Sequence, residues 1–306
     1  MIRLSELLTK MGYDDFEMIN EKEFKFLSLS STSLDVESCT FVDDEKVIKN
    51  ISKNTRMVLT NKNLIDKFVD QPYGICIIDN PRIVFFESHN YLSETEGYKR
   101  VSRNTTFGKN CKISHLASIA GENVVIGDNV VVEEFAVIRE NTTICSGSVV
   151  RAGTVVGGQG FEFKRDKERV LSVKHVGGVH IGENVEIQYN TTIDCGVYPW
   201  DDTTIGDSCK VDNLVYIAHG VKLGEGVMIA GQSGIFGRSC IEKNTWIGAG
   251  AVVSNGIKIG ANARVNIGAV VTRDVEEGSS VTGNFAIDHK KFLKHLKEVS
   301  TTHIER

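Results

Sequence analysis

Bulky aliphatic residues recur at every sixth position through the second half of the chain: Ile205, Val211, Ile217, Leu223, Ile229, Ile235, Ile241, Ile247, Val253, Ile259, Val265 and Val271. No helix has that period, and a half-buried flat strand alternates every second residue instead. A short period held over many units marks a repeat architecture, in which each unit buries its apolar face only against its neighbours. Two residues before each aliphatic stands a smaller or β-branched side chain, such as Thr203, Cys209, Val215, Ser233, Ser239, Thr245, Ala251 or Ala263, with Ile257 the large exception. Residues two apart on a strand share a face, so both members of each pair are expected to point inward. Glycine often follows the aliphatic (Gly206, Gly224, Gly248, Gly260, Gly268), where a tight bend is expected. The pattern predicts a hollow prism of short parallel strands, three hexads and so eighteen residues to a coil, with coils about 4.8 Å apart.

The same beat starts earlier, from Val101 through Phe107, Ile113 and Ile119. It slips by one residue, as a corner insertion would cause, and resumes at Ile126, Val132, Ile138, Ile144, Val150 and Val156. Residues 157–178, GGQGFEFKRDKERVLSVKHVGG, are too polar and irregular for a wall and predict an extruded hairpin. After Ile181, Ile187 and Ile193 the beat meets VYPWDD, where Pro199 takes an inward position and a loop is expected. It stops after Val275; Phe292, Leu293, Leu296 and Val299 then follow helical spacing behind Asp288, a suitable cap. Residues 1–100 differ: a short amphipathic helix at Leu4, Leu7, Leu8 and Met11, strand-like runs at Cys39–Val42, Met57–Leu59 and Gly74–Ile78, and helix-like stretches at Asn63–Val69 and Phe85–Leu92. The organisation predicted is a small α/β domain (1–100), a β-helix (101–284) and a C-terminal helix (285–306).

A net charge of −5 argues against a nucleic-acid binder or a basic membrane-surface protein. Seven scattered cysteines without a CxxC pair read as reduced core fillers. The N-terminus lacks the apolar core of a secretory signal and no run approaches bilayer-spanning length, so a cytoplasmic protein without a transmembrane segment is expected.

Solenoid walls are mostly structural, so a polar residue matters where geometry gives it partners. His219 lies two positions beyond inward Ile217, and steps of eighteen residues place Gly237, Asn255 and Arg273 above it. An imidazole can take a proton from an attacking amine or hydroxyl near neutral pH. A bare glycine lets its N–H approach a thioester oxygen as charge builds there. A plain corner histidine is the structural alternative.

The stretch VDNLVYIAHGVKLGEGVMIAGQSGIFG, with Thr191–Asp194 upstream and GGQGFEF (Gly157–Phe163) opening the hairpin, resembles LpxD, the UDP-3-O-(3-hydroxyacyl)glucosamine N-acyltransferases of lipid A synthesis. TFVDDEKV (Thr40–Val47) and IIDNPRIVFF (Ile77–Phe86) echo that family's uridine-binding domain. The resemblance implies a mainly β fold, a left-handed parallel β-helix of hexapeptide repeats, assembled as a homotrimer with active sites between neighbours. It implies His219 as catalytic base, Gly237 as oxyanion amide, Asp212 and Asn213 beside the site, and Phe41 stacking on uracil. Asp44 stands where the family has an asparagine, Val47 where it has a second aromatic, and Asn255 in the stretch where it carries a second histidine. The donor implied is a phosphopantetheine thioester, on acyl carrier protein or coenzyme A, received by Arg264, Arg273, Lys290 and Lys294. The acceptor implied is a UDP-linked glucosamine, and no tightly bound cofactor is expected.

Three other readings follow from the departures and the fold. One is an N-acyltransferase for another nucleotide-linked amino sugar, of O-antigen, capsule or glycan biosynthesis. Another is a metal-dependent lyase resembling γ-carbonic anhydrases, through His175 and His180, although Arg139 stands where the third histidine belongs. The last is a non-catalytic scaffold whose first domain and final helix recruit partners.

Overall fold

The computed structural model describes residues 1–30, 32, 35–68, 71–167, 169–283, 286 and 288–302. A left-handed parallel β-helix forms its long axis. Two- to four-residue strands, from Thr106–Phe107 to Ser280–Val281, stack into three parallel walls of nine, eight and eight strands. Tyr216 and Ile217 pair with Gly234 and Ile235, which pair in turn with Val252 and Val253, so one coil takes eighteen residues.

The sixfold aliphatics form one continuous core, and the smaller residues two positions earlier are buried with them; Ile257 is partly buried. Three hydroxyls inside the prism are satisfied by carbonyls of the coil above: Ser233 Oγ donates to Gly248 at 2.9 Å, Ser239 to Ser254 at 2.9 Å and Thr245 to Gly260 at 3.1 Å, whereas the buried Thr142 Oγ1 has no partner among the described residues. A buried hydroxyl without a partner is costly, so Ser233, Ser239 and Thr245 suit their positions because each is short enough to reach the carbonyl ladder.

Of the glycines after the aliphatics, Gly268 makes the bend expected, with a φ of +67°, and the other four serve a different purpose. Positive φ falls three residues after each aliphatic from Ile205 to Val265, at Ser208, Leu214, Gly220, Gly226, Gln232, Arg238, Asn244, Gly250, Gly256, Asn262 and Gly268. At Gly206, Gly224, Gly248 and Gly260 the next coil's backbone lies so close that a β-carbon would meet it at 2.4–2.6 Å. Those four are small because backbone stacks on them.

Two excursions lengthen the coil. Val155 pairs with Thr192, a gap filled by an antiparallel hairpin of Phe163–Asp166 and Arg169–Ser172. Thr192 pairs with Tyr216 across the 195–202 loop, six residues over the usual coil. At the start, Val101 is 74% exposed and outside any strand, and Phe107 is exposed at the open end, so the prism begins one hexad later than the beat suggests.

The N-terminal domain is a five-stranded sheet. Phe26–Leu27, Ser38–Val42, Thr55–Thr60 and Gly74–Ile77 run parallel, and Glu17–Ile19 closes the far edge antiparallel. Helix α1 (Leu4–Lys10) buries Leu4, Leu7 and Leu8. Helix α2 (Pro81–Leu92) begins four residues before the expected helix, with Pro81 in its first turn, where a missing N–H costs nothing. Lys62–Phe68 is a 3₁₀ helix. This domain shares a core with the excursions: Leu8, Phe85 and Tyr98 pack with Val173, Val197 and Tyr198. Trp200 Nε1 donates to the Leu27 carbonyl at 3.0 Å.

Helix α3 (His289–Thr302) is capped by Asp288, whose Oδ1 accepts from the Lys290 and Lys291 amides. Phe292 and Leu293 are largely exposed. Val69 and the side chains of Leu296 and Val299 lie outside the described residues. No described helix is long and apolar enough to cross a membrane.

Candidate active site

Where domain, hairpin, loop and prism meet, they enclose a cavity of about 700 Å³. The prism contributes Tyr216, Ala218, His219, Phe236, Gly237, Arg238 and Asn255; the hairpin Phe161, Glu162 and Lys164; the loop Val197 and Tyr198; the domain Phe41, Asp43, Arg82 and Phe86.

His219 reaches this cavity because Ile217 anchors the strand inward and the chain turns at Gly220, whose φ is +68°. The coil above is locked on by the Arg238 amide, which donates to the His219 carbonyl at 3.0 Å. Gly237 then sits against the imidazole: a β-carbon there would lie 2.7 Å from both Cε1 and Nε2. Among the described residues the Gly237 N–H has no hydrogen-bond acceptor.

The hairpin supplies what the spacing did not reveal. Glu162 Oε2 lies 3.3 Å from His219 Nε2, and the other carboxylate oxygen pairs with Lys164. Lys164 Nζ stands 4.5 Å from the centre of the Phe86 ring, an arrangement favoured by the ring's negative face. Burial pushes the Glu162 carboxyl up, but the contacts with His219 and Lys164 outweigh it and bring it down to about 2. His219 Nδ1 is buried without a partner among the described residues. In this arrangement Nε2 therefore carries the hydrogen that Glu162 accepts.

Helix α2 sets the hairpin's position. Arg169 bridges to Glu87 at 2.6 Å, Asn90 Nδ2 donates to the Ser172 carbonyl at 2.7 Å, and His89 Nε2 donates to the Lys174 carbonyl at 2.8 Å. At the hairpin base, His175 Nδ1 donates to the Val173 carbonyl at 3.1 Å and Nε2 accepts from the Gly160 amide at 3.3 Å. Its ring lies 5.7 Å from that of His219. Burial, then the nearby His219, lowers His175 to about 4; burial likewise lowers His89 to about 4. Beneath the cavity, the Tyr216 hydroxyl donates to Asp194 at 2.6 Å, and burial raises the Asp194 carboxyl. Arg238 bridges to Asp201 at 3.0 Å and lies over Tyr198, tying the loop to the wall.

The structure brings together His219, Gly237, Asn255 and Phe41, the last packed on Phe85 and Phe86. Other sequence candidates lie elsewhere. Asp212 is seven residues before His219, on another corner, and is occupied locally: it accepts from the Asn213 and Gly231 amides at 2.7 and 2.9 Å. Asn213 accepts from the Tyr189 amide on the same corner. Within one chain neither orients the imidazole. Asp44 caps a 3₁₀ helix (Glu45–Asn50) outside the cavity, and Asp43 lines it instead. Val47 packs with the apolar cluster around Val42 and Phe68. Arg264 lies over Trp246 on a wall, Arg273 stands exposed three coils above His219, and Lys290 and Lys294 are exposed on α3. His175 and His180 are not a pair: His180 faces Cys145 outside the prism. Among the described residues no cluster of three or more His, Cys, Asp or Glu is arranged to hold a metal ion.

A prism of hexads with a histidine and a glycine stacked in a side cavity is a hexapeptide-repeat architecture. Family models agree: "Bacterial transferase hexapeptide (six repeats)" matches residues 123–158 and 202–237, and "Hexapeptide repeat of succinyl-transferase" matches residues 240–273. More narrowly, the chain is similar to LpxD proteins. It is 34% identical over 152 residues to a UDP-3-O-acylglucosamine N-acyltransferase of Delftia acidovorans, covering 49% of this chain and 45% of the relative. It is 50% identical over 88 residues to that of Rickettsia prowazekii, covering 29% and 25%. The matches thus span less than half the length of these relatives. Among solved structures it is similar to an Arabidopsis UDP-N-acetylglucosamine acyltransferase, at 27% identity and a TM-score of 0.53, covering 63% of this chain and 67% of that one.

Proposed function

We propose that this chain is an N-acyltransferase that moves an acyl group from a phosphopantetheine thioester to the amine of a UDP-linked 3-O-acylglucosamine, in lipid A synthesis. The observation that carries this reading is the stacking of a bare Gly237 amide on the His219 ring inside a cavity shared with the N-terminal domain. The amine attacks the thioester carbon, forming the N–C bond as negative charge moves onto the carbonyl oxygen, where the Gly237 N–H receives it. His219 takes one amine proton, the C–S bond breaks, and the same proton passes to the departing sulfur. Phe41 and Phe86 offer aromatic faces for the nucleotide base, and Arg82, Lys164 and Arg238 offer positive charge for its phosphates.

The donor is acyl carrier protein or coenzyme A, met by the exposed Lys290, Lys294 and Arg273; no tightly bound cofactor is required. A cytoplasmic homotrimer fits this reading, because only a second copy could bring the corner of Asp212 and Asn213 to a neighbour's cavity. The positions of Asp44 and Val47, both away from the cavity, favour a second reading in which the nucleotide differs. A mass-spectrometric transfer assay, offering acyl carrier protein and coenzyme A donors against UDP- and dTDP-amino sugars, tests both. Product with UDP-3-O-acylglucosamine supports the first; product with dTDP-amino sugars alone supports the second; none with any pair overturns both.

A further inference from the structure

We propose that Glu162 selects the acceptor: it makes this cavity a site for a primary amine and against a hydroxyl. The inference rests on the acyl-transfer reading and starts from the 3.3 Å contact between Glu162 Oε2 and His219 Nε2. As the chain stands, that nitrogen's hydrogen is given to the carboxylate, since Nδ1 has no partner among the described residues. A base must present a lone pair at Nε2, so the imidazole hydrogen has to move to Nδ1. Two acceptors are then left facing the same small volume, the Nε2 lone pair and Oε2.

The other groups around Glu162 do not relieve this. Lys164 is engaged with the opposite carboxylate oxygen and held against Phe86. His175 spends its Nδ1 hydrogen on Val173 and presents its Nε2 lone pair to the Gly160 amide. Asp194 already accepts from Tyr216, and Arg238 pairs with Asp201. The incoming nucleophile must supply both missing donors.

A neutral amine nitrogen has two N–H groups and a lone pair. One N–H meets Oε2, the other meets Nε2, and the lone pair stays free for the thioester carbon. A hydroxyl has one hydrogen, so it leaves either the carboxylate or the imidazole unpaired in a mostly buried place, a loss of the kind that gives sites their largest discrimination factors. Glu162 stays ionised throughout the neutral range, so this demand does not lapse there.

The test compares UDP-3-O-acylglucosamine with its 2-hydroxy counterpart, UDP-3-O-acylglucose, on wild type, Glu162→Gln and Glu162→Leu. The wild type should prefer the amine by at least about a hundredfold in kcat/KM. Glu162→Leu, which removes the acceptor atoms, should lower that ratio at least tenfold, and Glu162→Gln, which keeps one oxygen, should fall between. A ratio within twofold of wild type in Glu162→Leu overturns the proposal, as does equal loss on both acceptors. A second measurement needs no turnover: the ¹⁵N shift of the His219 imidazole during titration with glucosamine or glucose. A glucosamine-specific shift that Glu162→Leu abolishes supports amine selection; equal responses to both sugars, or none, overturn it. If that shift is present and no amino sugar is acylated with any donor, the acyl-transfer reading has failed while the amine selection stands.

Discussion

Gly237 and His219 are stacked so closely that one added methyl group would touch the imidazole at 2.7 Å. The obstacle is the ring itself and not backbone, so the fold can yield by displacing the side chain. Gly237→Ala should therefore lower kcat/KM by about a hundredfold, the range seen when an oxyanion donor is disturbed. The melting temperature should move by only a few degrees. Steady-state kinetics beside thermal unfolding of the same sample check this.

The opposite outcome is expected at Gly248. Its added β-carbon would lie 2.6 Å from the Ile267 amide nitrogen of the next coil. Backbone cannot step aside without separating coils, so Gly248→Ala should destabilise the chain by roughly 2 kcal/mol or more. Urea unfolding would reveal it as a lower midpoint.

His219→Ala should abolish most turnover, by about 10²–10⁴-fold, with substrate binding largely kept. The same substitution removes the hydrogen that Glu162 accepts, leaving that carboxylate with Lys164 alone. Unchanged turnover in His219→Ala would favour the scaffold reading.

Acid should unfold this protein in two stages. His89 and His175 are held neutral to about pH 4, against about 6.5 in an unfolded chain. Between those values the unfolded chain binds more protons, so stability falls as pH falls from 6.5 to 4. Glu162, brought down to about 2, holds stability above its ordinary value near 4.5 and loses it as pH falls from there toward 2. Denaturant midpoints across pH 7.5 to 4 should show the first slope, and His89→Gln should make it shallower.

Tyr216→Phe removes the hydroxyl that donates to Asp194, whose carboxyl burial already disfavours in its charged form. The variant should lose about 1–3 kcal/mol, read from equilibrium unfolding, with the Asp194 carboxyl raised further by NMR titration.

The prism was legible from residues 205–271 because its rule is local: each hexad obeys the same demand for an inward pair, and the pairing of Ile217 with Ile235 only adds up three of them. The vertical neighbours of His219 follow from that arithmetic alone. Gly206, Gly224, Gly248 and Gly260 differ from Gly268 in a way no spacing reveals, because sequence shows that a position is small, not whether φ or a stacked backbone makes it so.

Sequence by itself determined the period, the coil length, both interruptions and the alignment of His219 with Gly237, all of which depend on nearest-neighbour packing. Tertiary structure alone decided that the hairpin folds back under α2 to set Glu162 on His219, that Asp43 rather than Asp44 faces the cavity, and that Asp212 sits around a corner. Those placements arise from contacts between segments far apart in the chain, held by Glu87, Asn90 and Trp200. No periodicity records such contacts, because each is made once.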